Sequence, residues 1–460
     1  MNEREEYDFV VVGGGTAGML VANYASRLGR KAVVIEKGLL GGVCMNAGCI
    51  PTKTLLSSVE ILRKAANSYD YGVDISEGVK AILAKMVQRK DAVVTELVSY
   101  AEKALKINKV TVVRGEAQIL SPRAVKVKDD QFEGKNLVIA TGSDAAILPI
   151  PGSDLPGVYD TTRMLDLKRL PKSMVIIGGN YIGAEFATFF SALGTRVTIL
   201  KRKPFFLPGV DEELSIMLGK IMVGRGISII PGANIKKITE QEDRLKVQWD
   251  TPEGEQSVAG DVVLMATGRV PCVAGFGIEN LQVSLDGNGI AVNEHLETSV
   301  KGVYAVGDVT GKMMLAHSAI HQGEIAVEKA LGGVRKADYS AVPHCVYTYP
   351  EVAGVGMTEN ETREKGISYK VTKAPFKYSG RAHTMGETEG MLKLICEEAT
   401  GRVLGMHIMG TNASEMIAVG TLAVRLKLEA KDLSETIVAH PTMCESIKDA
   451  ALAQLLPKRG

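Results

Sequence analysis

One local pattern occurs twice in this chain, and a chain that repeats it must build two parallel-sheet units. In the first copy, Tyr7 to Val12 (YDFVVV) is the apolar run of a strand buried on both faces. Gly13, Gly15 and Gly18 follow as G-x-G-x-x-G, then a helical pattern from Thr16 to Leu28, a second strand from Lys31 to Ile35, and Glu36 at its end. The first glycine makes the turn, the second lets backbone approach a pyrophosphate, and the third packs helix on strand. The helix N-terminus then faces phosphate charge, and a carboxylate at Glu36 can accept hydrogen bonds from ribose hydroxyls. Glycines alone would describe any tight turn; strand, glycines, helix, strand and acid in that order describe a dinucleotide site.

The second copy begins at Met174 and reads MVIIGGNYIGAEFATFFSALGTRVTILKRK. Two such units suggest two dinucleotides. Gly178 and Gly183 are present, but the middle glycine is Asn180, whose side chain is expected to crowd the approach of a pyrophosphate. Where an acid would accept from a ribose 2′-hydroxyl, the chain reads Lys201-Arg202-Lys203, and cations there suit a 2′-phosphate. Three readings compete: NADP use, which the cations favour; ordinary NAD binding beside a solvated basic strand end; and a degraded nicotinamide site whose electrons leave to another acceptor.

Between the two copies lies Gly41 to Lys53, GGVCMNAGCIPTK, with four residues between Cys44 and Cys49. The pair could be two small buried hydrophobes, or half of a zinc site, but no second CxxC or CxH pair completes one, so no metal is expected. A close dithiol beside a redox cofactor is the third reading. A nearby helix start would favour a thiolate, below the free value of about 8.5. Six cysteines in 460 residues are too few for a disulfide scaffold, and a pair in a reducing compartment is more often catalytic or metal-binding than structural.

Lys and Arg total 54 against 53 Asp and Glu, which gives no electrostatic case for a nucleic-acid partner. The opening MNEREEYDFVVVGGG is acidic with a short apolar run, so it reads as a first strand rather than a signal peptide. No segment reads as membrane-spanning, and a cytoplasmic location is expected.

Residues 78 to 107 read as one long helix or two. Val110 to Val113, Ala124 to Val127 and Leu137 to Ile139 read as strands of a β-meander, closed by Ala140-Thr141-Gly142-Ser143. Residues 232 to 263 read as β-ribbon before a second Ala-Thr-Gly at 266–268. Tyr304 to Asp308 is a buried strand ending in Gly-Asp, where the aspartate is either a helix cap or a ligand contact. Met314-Leu315-Ala316-His317 opens a helix through Leu331. From about Asp338 antiparallel strands dominate, with a helix from about Ala413 to Leu426. Near the end stands His440-Pro441-Thr442-Met443-Cys444-Glu445. A lone histidine is usually only packed or exposed, but a carboxylate five residues on could orient this one as a general base.

GGVCMNAGCIPTK is similar to the redox-active disulfide motif of the pyridine nucleotide–disulfide oxidoreductases, and most like that of their dihydrolipoamide dehydrogenase group. The resemblance runs from Tyr7 to about Pro457, with the landmarks in the family's order. It implies an α/β protein with two Rossmann-like dinucleotide-binding domains and a C-terminal α+β dimerisation domain. The expected parts are 1–149 and 270–337 for the flavin, 150–269 for NAD(P), and 338–460 for the dimer interface. It implies FAD at the first site, held by Gly13, Gly15, Gly18, Glu36, Lys53, Ala117, Thr141, Gly142, Asp308, Leu315, Ala316 and His317, and a nicotinamide nucleotide on Gly178, Asn180, Tyr181, Ile182, Gly183, Lys201, Arg202 and Gly268. Cys44 would exchange with substrate, Cys49 would face the flavin, Lys53 would pair with Glu185, and His440 with Glu445 would act in the partner subunit's site of a homodimer. The implied activity is oxidation of dihydrolipoamide, free or on the lipoyl domain of a 2-oxoacid dehydrogenase or glycine cleavage complex. The alternatives are reduction of another small disulfide, or a flavoprotein subunit with a non-nicotinamide acceptor.

Overall fold

The computed structural model describes residues 6–75, 78–252 and 254–457. The chain divides into two compact units. The first gathers Met1–Ile147, Asp160–Arg169 and Gly268–Ala337; the second gathers Leu148–Tyr159, Leu170–Thr267 and Asp338–Gly460.

The first unit is organised by a seven-stranded sheet. Glu6–Val12 lies between Ala32–Glu36 and Asp130–Ile139, all parallel, and Val303–Ala305 also pairs with Asp130–Ile139. The register sets Val12 against Ile35 and Ile139, and Ile139 against Ala305. Four strands therefore end at one level, and the residues that follow them project into the crevice where open α/β sheets bind ligands. Alternation decides the two faces. Phe9, Val11, Val34 and Val138 pack under the helices Thr16–Arg27 and Ala316–Ala330, while Val10, Val12, Val33 and Ile139 pack against Ile119, Val125 and Phe276. The long helix is Leu83–Ile107. Thr111–Arg114, expected in the meander, instead joins the parallel edge beside Ala32–Glu36. The helix before it makes it the return strand of a crossover, and such connections come back parallel. The meander proper is Gln118–Ser121, Ala124–Val127 and Asp130–Ile139.

The second unit contains the second parallel sheet, with Ser173–Ile177 between Arg196–Leu200 and Val262–Met265. The expected ribbon is a three-strand antiparallel sheet, Asn234–Gln241, Arg244–Thr251 and Gly254–Gly260. It ends earlier than its alternation suggested: Val262–Met265 is buried at all four positions and belongs to the parallel sheet. A five-stranded antiparallel sheet, His344–Val346, Val352–Gly356, Val403–Met409, Met391–Glu397 and Tyr369–Pro375, carries the C-terminal part. Ala413–Leu426 and Glu445–Leu455 cover it through Met416, Ile417, Ile447 and Ala451.

A buried ion cluster sits inside this unit. Lys393, 1% exposed, donates to Asp211, itself 1% exposed, at 3.0 Å, and lies 2.6 Å from Glu359 and 3.2 Å from Glu213. A buried ammonium persists only when paired in this way. Among the described residues no helix is long and apolar enough to cross a membrane.

Candidate active site

The first glycine turn is shaped by contact. Gly13 has φ +105°, and a Cβ on it would lie 2.3 Å from the Ala140 carbonyl oxygen. A Cβ on Gly18 would lie 1.9 Å from the Gly13 oxygen. Gly15 differs: its Cβ would meet nothing nearer than Gly42 Cα at 3.8 Å. Gly15 caps the helix Thr16–Arg27 with no side-chain hydrogen bond. Space and helix N–H groups thus face the crevice together, a cradle that fits a dinucleotide phosphate. Glu36 stands beside it, accepting from the Gly14 and Gly38 N–H groups at 2.6 Å each. Gly115 donates to the Glu36 carbonyl at 3.0 Å, and Ala117, two residues on, is half-buried.

Across the crevice the Asp308 carboxylate accepts from the Ser143 hydroxyl at 2.5 Å, with Arg269 Nε at 3.7 Å. Arg269 Nε also donates to Ser143 Oγ at 2.7 Å. Thr141 donates to the Cys272 carbonyl at 2.8 Å, and Gly142 (φ +75°) turns the chain after it. Leu315 caps the helix Ala316–Ala330 without a side-chain bond; Ala316 begins that helix and His317 is exposed. Ser143 and Arg269 were not among the expected site residues. Each directly follows one of the two Ala-Thr-Gly triplets, and that repeat was the available signal.

The redox stretch packs on the same turn. Gly41 N donates to Gly14 O at 2.8 Å, and a Cβ on Gly42 (φ +55°) would lie 2.8 Å from Gly15 Cα, so only glycine fits. Cys44 lies in the short helix Gly42–Asn46, half-buried, and Cys49, exposed, opens the helix Cys49–Ala66. The two thiols hydrogen-bond to each other. That bond first, and burial second, hold the Cys44 thiol above its ordinary value, while the Thr16 hydroxyl and the Lys53 ammonium pull it down. Lys53 follows one turn after Cys49.

The second glycine turn repeats the first with one change. A Cβ on Gly178 (φ +129°) would lie 2.0 Å from the Ala266 oxygen, and one on Gly183 would lie 2.2 Å from Gly178 O. Gly268 (φ +119°) turns the chain after the second triplet. Asn180 caps the helix Tyr181–Ala192: its Oδ1 accepts from Gly183 N at 3.1 Å and its Nδ2 donates to Ala266 O at 2.8 Å. The amide is tied back, so its effect is to occupy a helix N–H that a phosphate would otherwise use, rather than only to crowd the turn. Asn180→Gly should release that N–H and tighten nicotinamide-nucleotide binding by roughly tenfold; an unchanged Kd in a titration would show that the cap does not compete. Tyr181 and Ile182 follow on the first helical turn, both half-buried, and the Tyr181 ring stacks on His344 at 5.9 Å.

Lys201, expected as a phosphate-binding cation, is turned inward in this structure. It is 6% exposed, and its ammonium donates to the carbonyls of Lys203, at 2.9 Å, and Pro204. Burial leaves an ammonium few options, and the nearest acceptors are these turn carbonyls. Burial also lowers its pKa. Lys201 occupies the place that Glu36 has in the first copy: Gly13 N bonds to Ile35 O, and Gly178 N bonds to Leu200 O. Arg202 and Lys203 remain exposed.

In the C-terminal part, His440 Nδ1 lies 2.7 Å from Glu445 Oε1, and Thr442 N donates to Glu445 Oε2 at 2.9 Å. The bond to His440, then that to Thr442, hold the Glu445 carboxyl below the usual range. A carboxylate fixed this way sets the tautomer of the ring and leaves Nε2 outward as an acceptor. Glu185, 4% exposed, accepts from Tyr347 N at 3.0 Å.

These features belong together in one family. Residues 7–323 match the model of the pyridine nucleotide-disulphide oxidoreductases, and residues 342–451 match that family's dimerisation domain. The chain is a member of the pyridine nucleotide–disulphide oxidoreductase family, with FAD and NAD(P) as its cofactors and a homodimer as its assembly. It is 38% identical to the mitochondrial dihydrolipoyl dehydrogenase of Pisum sativum, covering 98% of this chain and 91% of that protein. It is 35% identical to the dihydrolipoyl dehydrogenase of Bacillus subtilis (strain 168), covering 97% and 98%. Among solved structures, the HOCl-induced flavoprotein disulfide reductase RclA from Escherichia coli is similar with a TM-score of 0.88 at 31% identity, covering 97% and 99%.

Proposed function

We propose that the protein oxidises dihydrolipoamide through Cys44 and Cys49 and delivers the electrons to NADP in preference to NAD. The observation that carries this reading is the hydrogen-bonded thiol pair packed against the first dinucleotide turn. In the homodimer, His440 of one subunit serves the dithiol of the other. Its Nε2 takes a proton from a substrate thiol, with Glu445 balancing the charge. The substrate thiolate attacks Cys44 of the oxidised pair and Cys49 leaves as a thiolate. The second substrate thiol then attacks the substrate sulfur of the mixed disulfide, Cys44 leaves, and the lipoamide disulfide closes. The two electrons now reside in the Cys44–Cys49 dithiol. FAD, when bound, supplies the two-electron carrier between that dithiol and the nicotinamide.

The chain's own task is to hold that carrier. We assign this to the Gly13, Gly15 and Gly18 cradle, to Glu36, and to Asp308 with Ser143 and Arg269. The flavin domain is drawn from 1–149 and 270–337, the nicotinamide domain is 150–269, and 338–460 forms the interface. Lys53 is assigned to the flavin side. The preference for NADP rests on two features: Lys201 stands where an acid would bind a ribose hydroxyl, and Arg202 and Lys203 lie exposed beside it. The dihydrolipoamide is free or carried by the lipoyl domain of a 2-oxoacid dehydrogenase or glycine cleavage complex.

A second reading, reduction of another small disulfide at the expense of reduced nucleotide, is favoured by the likeness to RclA, described as a disulfide reductase. Anaerobic turnover of dihydrolipoamide with each nucleotide tests the proposal. NADP should support turnover about tenfold faster than NAD, the worth of one charged contact to phosphate. Faster turnover with NAD would make Arg202 and Lys203 a solvated surface. Turnover with neither would move the search to another electron acceptor.

A further inference from the structure

Thr16 stands directly after Gly15, at the first position of the helix Thr16–Arg27. The turn it belongs to and the redox stretch touch backbone to backbone: Gly41 N donates to Gly14 O, Gly15 bridges to Gly41, and a Cβ on Gly42 would lie 2.8 Å from Gly15 Cα. That closeness brings the Thr16 hydroxyl to Cys44, two residues past Gly42, and the two side chains hydrogen-bond. We infer that Thr16 is a positioning residue for the redox thiol: its hydroxyl donates to the Cys44 sulfur and stabilises the thiolate through which the reduced pair reacts.

Three groups face this sulfur. Cys49 and Lys53 come from the helix Cys49–Ala66, and Thr16 from the helix of the dinucleotide turn. Cys49 and burial favour the neutral thiol; Thr16 and Lys53 favour the anion. Lys53 acts as a charge, which salt screens. Thr16 acts by a donated hydrogen bond, which fixes direction as well as charge and persists at high ionic strength. Turn and thiol are thereby coupled: a residue of the phosphate-binding helix also sets the reactivity of the sulfur. The inference rests on the reading of Cys44 as the exchanging sulfur, but its test addresses the thiol itself.

The holoenzyme is reduced anaerobically with a phosphine and alkylated with iodoacetamide over a pH series, and modification of Cys44 is followed by mass spectrometry. Thr16→Val keeps the volume and removes the donor. It should move the midpoint of the Cys44 alkylation profile up by about one pH unit and slow alkylation at neutral pH roughly tenfold. Thr16→Ser keeps the donor and should retain the wild-type profile. A Thr16→Val profile that superimposes on wild type would overturn the inference. So would a Thr16→Ser profile displaced as far as that of Thr16→Val, since the methyl group and not the hydroxyl would then matter. Neither outcome depends on which disulfide is the substrate, so failure here is distinct from failure of the proposed function.

Discussion

Cys44→Ser should lower the proposed dihydrolipoamide oxidation at least about a thousandfold while the flavin stays bound. Serine matches cysteine in size, so the half-buried position in Gly42–Asn46 accepts it. A hydroxyl forms no disulfide with Cys49 or with a substrate sulfur, so the exchange has no path. The flavin site assigned above is built from other residues, with Gly13, Gly15 and Gly18 on one side and Asp308 on the other. Turnover and flavin absorbance on the same sample separate the two effects. Residual oxidation near the wild-type rate would place the chemistry elsewhere than the dithiol.

Lys393→Met is expected to cost about 3–5 kcal/mol of stability, because it leaves the Asp211 carboxylate buried without its cation. Asp211 is 1% exposed and has Lys393 at 3.0 Å. Burial opposes the charge on Lys393, Asp211 and Glu359 alike, yet His407 and then Lys393 hold the Asp211 carboxyl below its ordinary value, Lys393 does the same for Glu359, and the carboxylates hold the ammonium above its own. The sign of the pH dependence follows. The carboxylates contribute stability above the ordinary carboxylate range, and it is lost as pH falls through their lowered values. The lysine contributes fully below its ordinary value, and its share is lost only as pH rises through the raised one. Denaturant titrations at neutral pH should show the loss in Lys393→Met and a partial recovery in Lys393→Met with Asp211→Asn. An unchanged midpoint in the single variant would mean that the buried pair contributes nothing.

What was legible in the sequence was what is written locally. The two glycine turns, their strands and helices, the dithiol and the His440–Glu445 pair each lie within one short stretch, and spacing alone predicts which backbone and side chains meet. What was not legible depends on distant residues. Ser143 reaches Asp308 across 165 positions, and Arg269 reaches Ser143 across 126. Two departures from the glycine pattern were visible, but not how they are resolved. Asn180 reads as bulk, whereas its amide satisfies Gly183 N and Ala266 O. Lys201 reads as a free cation, whereas burial turns its ammonium onto turn carbonyls. Thr111–Arg114 reads as a meander strand because alternation does not say which neighbour a strand takes.

The roles proposed for His440 and for the dithiol meet in one half-reaction, isolated from the nicotinamide. His440→Gln should slow that step and leave reoxidation by nucleotide unaltered; equal slowing of both would remove its role as base. The decisive measurement is anaerobic mixing of the wild-type holoenzyme with dihydrolipoamide, followed by flavin absorbance and by the release of lipoamide. One lipoamide should form for each Cys44–Cys49 disulfide reduced, and a second for each flavin whose oxidised band is lost. No lipoamide released and a flavin that stays oxidised in excess dihydrolipoamide would leave the family in place and contradict the assigned substrate.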